Sequence, residues 1–172
     1  YLNPPIEHKY LGNSPKTISY NTVRKMIQII KESSINPYIR KWAEKITENV
    51  ENRDSIGDIQ AIFTFLQTYI KYVQDPIGVE YVQTPTYMLK QFEIGDVPSG
   101  DCDDFTVLAL SLLRSLGYES IIRIVSYNPT GEFEHVYSLI YISSIGKYIV
   151  FDAIKKDKIL GWEAPNAVNT AD

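Results

Sequence analysis

Apolar positions in the first part of the chain recur at the three- and four-residue spacing of amphipathic helices, and in the last part they alternate in twos. Between Ser19 and Glu32, the residues Tyr20, Val23, Met26, Ile27 and Ile30 fall on one stripe. Asn36-Pro37 reads as an N-cap followed by proline at the first helical position, and Ile39, Trp42, Ala43, Ile46 and Val50 give a second helix its apolar face. Ser55 with Asp58 has the form of a capping box and opens a third helix with the face Ile59, Ile62, Phe63, Leu66, Ile70 and Val73. Residues 74–100 lose the period. Asp75-Pro76, Gly78, Thr84-Pro85, Gly95, Pro98 and Gly100 predict a long loop with one short helical turn at Tyr87–Gln91. A loop of that length inside a compact domain is more often functional than idle.

Asp101-Cys102-Asp103-Asp104 then leads into Phe105, Val107, Leu108, Ala109, Leu110, Leu112, Leu113 and Leu116, closed by Gly117. A helix apolar nearly all round belongs in the centre of the fold, and the glycine is its C-cap. Beyond it, Ile121–Tyr127, His135–Ile142 and Tyr148–Asp152 alternate as strands, separated by Asn128-Pro129-Thr130-Gly131 and Ser143-Ser144-Ile145-Gly146. Helices first and a meander of strands afterwards predict an α+β fold. Residues 1–16, with Pro4, Pro5, Gly12 and Pro15, read as an extended arm, 17–165 as one domain and 166–172 as a tail.

Composition narrows the functional classes. The 172 residues are about one domain's worth, and 44% hydrophobic with 22% charged is an ordinary globular mixture, which sets aside disorder. Lys and Arg number 17 against 21 Asp and Glu, a net charge of −4, which argues against a broad phosphate-binding surface and hence against nucleic acid. No apolar run approaches the ~20 residues of a membrane span. A single cysteine forbids an internal disulfide. The start at Tyr1 without an initiator Met, together with the proline-rich arm, leads us to expect a processed or excised piece of a larger assembly.

Cys102 stands at the predicted start of the most buried helix, where unpaired N–H groups and the macrodipole lower a thiol pKa. Asp101, Asp103 and Asp104 work against that, so a positive neighbour is required. His135, at a strand start, is the natural partner, and Asp152 ends the next strand. A hairpin turn centred on Ser143-Ser144 puts His135 directly opposite Asp152. One centred on Ser144-Ile145 puts them diagonally adjacent on the same face. In either register a carboxylate reaches the imidazole and holds its tautomer. Each residue also has an ordinary structural use: a small core thiol, a satisfied polar group, a turn cap. The other histidine, His8, lies in the arm.

Gly100-Asp101-Cys102-Asp103-Asp104-Phe105, the Leu-rich helix ending in Leu116-Gly117-Tyr118, His135-Val136-Tyr137 and Val150-Phe151-Asp152 together resemble the transglutaminase-like superfamily, closest to its bacterial and phage cysteine peptidases. The resemblance covers about residues 70–165. It implies a papain-like core in which the Cys-bearing helix packs on an antiparallel sheet, with Cys102 as nucleophile, His135 as general base and acid, and Asp152 as its orienter. The segment Tyr81-Val82-Gln83-Thr84-Pro85 also resembles one that precedes the nucleophile in such members, making Gln83 or Tyr87 a candidate oxyanion donor beside the Cys102 N–H. Asp101 and Asp103 match a calcium-binding pattern seen in some peptidases, and their oxygens suit Ca²⁺, which would offset the acidic cluster beside the thiol. Trp162, in Gly161-Trp162-Glu163, is a candidate groove residue or a cover for a core edge.

Crosslinking members carry an aromatic residue after the nucleophile, where this chain has Asp103, which favours hydrolysis. The expected function is therefore a cysteine hydrolase of peptide or amide bonds, with a protein or peptide substrate, a peptidoglycan peptide among the options, and no required cofactor. The alternatives are a non-catalytic module of a phage virion or cell-envelope assembly, and acyl transfer to amines; the expected location is a bacterial cell envelope or phage virion rather than free cytoplasm.

Overall fold

The helix marked by the sequence as apolar all round is the hub of the molecule. In the computed structural model, which describes residues 6–8, 15–52, 54–76, 80–129 and 133–172, it is α5 (Cys102–Ser115). Phe105, Val107, Leu108 and Leu112 on its different sides are all at most 3% exposed. Its end is a Schellman motif: Tyr118 N–H donates to Leu113 and Gly117 N–H to Arg114, with Gly117 at φ +96° as the left-handed residue. Four helices pack against it: α1 (Pro15–Ser34), α2 (Pro37–Ile46), α3 (Ser55–Tyr69) and α4 (Pro85–Glu93).

Local chemistry explains most element boundaries. Asn36 caps α2 by accepting from Tyr38 N–H at 2.9 Å with Pro37 at the first position, as its sequence predicts. Three expectations shift. The buried face of α1 runs through Thr22, Met26, Ile29, Ile30 and Ser33, while Tyr20 and Ile27 turn outward, 59% and 38% exposed. The small Thr22 and Ser33 allow the close approach of α1 to α5. The second helix stops at Ile46, capped by Thr47, so Val50 lies past it. The third is capped by Asp54, which accepts from Gly57 N–H at 2.9 Å, so Ser55 is its first residue rather than its cap. It ends at Tyr69, leaving Val73 outside and exposed.

The stretch read as a long loop is more ordered than expected. It carries β3 (Glu80–Val82), the nine-residue α4 capped by Thr84, and β4 (Ser99–Gly100), and just ahead of it, where the third helix was expected to run on to Val73, stands β2 (Lys71–Tyr72). β2 pairs parallel with β4, and β3 pairs antiparallel with β1 (Ile6–His8), within the stretch read as an arm. The remainder of that arm before Pro15 (residues 1–5 and 9–14), the turn glycine Gly78 and the Thr130-Gly131 link lie outside the described residues.

The main sheet is antiparallel, with β7 (Lys147–Phe151), β6 (His135–Ile142), β5 (Ser120–Ser126) and β8 (Asn169–Ala171) in that spatial order. β8 falls in the segment read as a tail and adds an edge strand held by Arg123, whose Nε and Nη2 each lie 2.6 Å from an Asp172 carboxylate oxygen. One face of the sheet sends Ile124, Val136 and Ile140 into the core shared with the helices; the other carries Val125, Tyr137 and Leu139. Among the described residues no helix is long and apolar enough to cross a membrane.

Candidate active site

The start of α5 and the start of β6 face one cleft. Asp101 is the N-cap of α5, its carboxylate accepting from Asp103 N–H at 3.3 Å, which makes Cys102 the first helical residue. A residue in that position has no intrahelical acceptor for its N–H, so the backbone there faces whatever approaches the helix end. The Cys102 side chain is half-buried. It lines a cavity of about 190 Å³ together with Thr22 and Val23 of α1, Tyr72 of β2, and His135 and Val136 of β6. The Thr106 hydroxyl ties helix to strand, lying 2.7 Å from the Cys102 carbonyl and 3.3 Å from that of Val136.

His135 and Asp152 are brought together by strand register. β6 and β7 pair from Ser138↔Phe151 to Ile142↔Lys147, which centres the turn on Ser144-Ile145. Continuing that register sets Asp152 level with Tyr137, diagonally adjacent to His135, the second of the two arrangements the sequence allowed. His135 Nε2 lies 2.8 Å from Asp152 Oδ2. The second carboxylate oxygen is 3.4 Å from the Ile154 N–H, and Asp152 is only 5% exposed. The carboxylate therefore stands behind the imidazole, away from the cleft.

The acidic cluster is layered. Asp101, Asp103 and Asp104 are all buried, and each places a carboxylate oxygen within 4.8 Å of the others. Asp104, fully buried, accepts from the Gln83 backbone N–H at 2.7 Å and from Gln83 Nε2 at 2.6 Å. Burial, partly offset by these donors, pushes its carboxyl up to about 7. Gly100 permits this contact, since a Cβ there would lie 2.3 Å from Asp104 Oδ2 and 2.5 Å from its Cβ.

Three candidates stand elsewhere. The Gln83 amide also donates to the Ser99 carbonyl at 2.7 Å, so both its protons are engaged and neither serves an oxyanion. Tyr87 is half-buried in the first turn of α4, outside the cleft lining. Trp162 has the Lys155 and Lys158 ammonium groups over its ring, 5.1 and 5.2 Å from the centroid, and is not part of that lining either. Sequence reasoning missed Tyr72, because the signal that brings it to the cysteine is the parallel β2–β4 pairing of two-residue strands.

Comparison with known proteins places this arrangement in context. The sequence profile of the transglutaminase-like superfamily matches residues 40–153. No curated protein matches the chain. Among solved structures it is similar to a candidate cysteine protease from Cytophaga hutchinsonii, with a TM-score of 0.53 and 20% identity over 78% of this chain and 42% of that one. It is also similar to a candidate protease from Parabacteroides distasonis, with a TM-score of 0.59 and 14% identity over 77% of this chain and 26% of that one. Legionella pneumophila LapG, in a calcium-bound form, gives a TM-score of 0.52 and 16% identity over 86% of this chain and 83% of that one. The chain thus spans less than half the length of the first two, and at these identities the likeness is one of fold.

Proposed function

Because the chain belongs to the transglutaminase-like superfamily, we propose that it is a cysteine hydrolase of peptide or amide bonds, with Cys102 as nucleophile, His135 as general base and acid, and Asp152 as the group that orients the imidazole. The observation that carries this reading is the 2.8 Å contact between His135 and Asp152 on the wall of the cleft that holds Cys102. An ionised carboxylate only accepts, so Nε2 carries the proton toward Asp152 and Nδ1 is the nitrogen that exchanges a proton with the thiol. The sulfur attacks the carbonyl carbon, the C–N bond breaks as the imidazolium protonates the leaving amine, and a thioester remains. Water, deprotonated by the same imidazole, then releases the acid and restores the thiol. A sulfur sealed from solvent would favour a non-catalytic scaffold; Cys102 as a residue is half-buried and lines the cleft, which supports turnover instead.

The carboxylates Asp101 and Asp103 would hold a calcium ion, with Asp104 fixed behind them by Gln83. The donor set fits: hard oxygens, all within reach of one centre. Such an ion would supply positive charge beside the thiol. Added calcium is expected to raise the thermal midpoint and a chelator to reverse it; a midpoint indifferent to both removes calcium from the account.

Labelling with a thiol-reactive peptide probe across pH tests the whole reading. The wild type is expected to trap the probe at Cys102, and Cys102→Ala to lose labelling with its circular dichroism unchanged. His135→Ala should move labelling to the alkaline pH of an unassisted thiol. A Cys102 that labels identically with and without His135 overturns the proposal.

A further inference from the structure

Any peptide that reaches Cys102 enters a cavity of about 190 Å³. That is below the ~300 Å³ at which small-molecule pockets begin, and it is room for a side chain rather than for a free ligand. We infer that Glu134 is the specificity-determining residue of this cleft, its carboxylate receiving the cation of a Lys or Arg side chain beside the bond that Cys102 attacks. The inference rests on the hydrolase reading and gives that site its substrate class, a peptide with a basic residue next to the scissile bond.

Position supports it first. Glu134 directly precedes His135 and lines the same cavity as His135 and Cys102. Two bonds of 2.9 Å hold it there. Its N–H donates to the Val125 carbonyl, which extends the β5–β6 ladder, and its carboxylate accepts from the Tyr127 N–H. A carboxylate has more acceptor sites than one N–H fills, so the pinned group can still take a second donor. The residue is exposed, so a substrate can reach it. A charged side chain already fixed by the neighbouring strand also has little freedom left to lose on binding.

The chemistry of the walls supports it second. Ile124, Phe133 and Val136 line the cavity together with Glu134. An apolar wall beside a carboxylate matches a side chain with an aliphatic stem and a cationic head, and the Phe133 ring adds its own attraction for a cation. Charge in the cavity is one-sided. Among the described residues no Lys or Arg lines it, and Glu134 enters no ion pair. Asp101 and Asp103 line it as well, but they are buried and gathered with Asp104 into the group that would hold calcium, to which Glu134 does not belong. An acidic peptide meets only repulsion here, whereas a basic one brings the charge that the cavity lacks.

The charge felt at the cysteine can be read without turnover. In a methanethiosulfonate the thiolate attacks the sulfenyl sulfur, a disulfide forms and methanesulfinate leaves. The full chain, with calcium added, is treated with the trimethylammonioethyl and the sulfonatoethyl reagents, and the ratio of their rates is divided by the ratio for 2-mercaptoethanol. The wild type is expected to favour the cationic reagent by about 10–10³-fold. Glu134→Gln keeps an acceptor for the Tyr127 N–H and removes only the charge, and it is expected to lower that preference about tenfold. A wild type without the preference, or a ratio that the substitution does not move, overturns the assignment and leaves the hydrolase reading standing. Both proteins then digest a pool of peptides of mixed sequence, with the cut bonds read by mass spectrometry. The wild type is expected to cut next to Lys or Arg and Glu134→Gln to lose that bias. Cutting without bias by the wild type overturns the assignment alone; a pool left uncut overturns the hydrolase reading with it.

Discussion

At Asp152 a single carboxylate oxygen lies 2.8 Å from His135 Nε2, the contact on which the proposed tautomer rests. Asp152→Asn keeps the shape but lets either tautomer form, and is expected to slow probe trapping by about 10³–10⁴-fold, measured as the labelling rate at neutral pH, with little change in the urea midpoint. A similar dependence on a few atoms governs Gly100, whose missing side chain makes room for the Asp104 carboxyl. Gly100→Ala is expected to destabilise the protein by about 1–3 kcal/mol, as overpacked sites do, read as a lower urea midpoint at unchanged slope. The places of Cys102, His135 and Asp152 in the fold were legible because each stands at, or one residue past, an element end that periodicity alone can locate. The surroundings of Gln83 were not legible because nothing local says that a buried Asp104 takes one proton of its amide and the Ser99 carbonyl the other.

Among elements, the sequence was most readable where one residue carries the boundary. Asn36-Pro37 and Gly117 did so, and the strands starting at His135 and following Ser120 ended within a residue or two of their expected bounds. The third helix shows how near-equivalent signals mislead: Asp54 and Ser55 are both good caps, and backbone geometry selects Asp54. Asp54→Ala is expected to lower stability by about 1 kcal/mol and Ser55→Ala by much less, compared by thermal melting. Strands of two and three residues such as β2, β3, β4 and β8 leave no period to read; they exist because a neighbouring strand supplies partners. The α1 stripe was rotated because the face that meets α5 includes Thr22 and Ser33, which hydropathy discounts and close packing favours.

Across the whole molecule, burying an acidic group in the hub beside the nucleophile ties stability to pH. The Asp104 carboxyl holds its proton up to about 7 in the folded protein, from 3.8 ordinarily, so the folded state binds that proton more tightly than the unfolded chain. Its contribution is therefore complete below about pH 4 and declines as pH rises through about 7. In calcium-free buffer the wild type is expected to lose thermal stability relative to Asp104→Asn across that window, and a constant difference between the two would contradict the assignment. The α+β class was legible because the apolar period changes from helical to alternating just past Gly117, so helices come first and a meander of strands afterwards.

The groups proposed to react sit on opposite sides of a single seam, the sulfur where a helix begins and the imidazole where a strand begins, bridged by the Thr106 hydroxyl. Neither half contains the reaction. Secondary structure could form throughout the chain and the thiol would still behave like free cysteine until helix and sheet dock. Rapid modification of Cys102 during refolding would then serve as a clock for that docking, ticking only once the two halves have met.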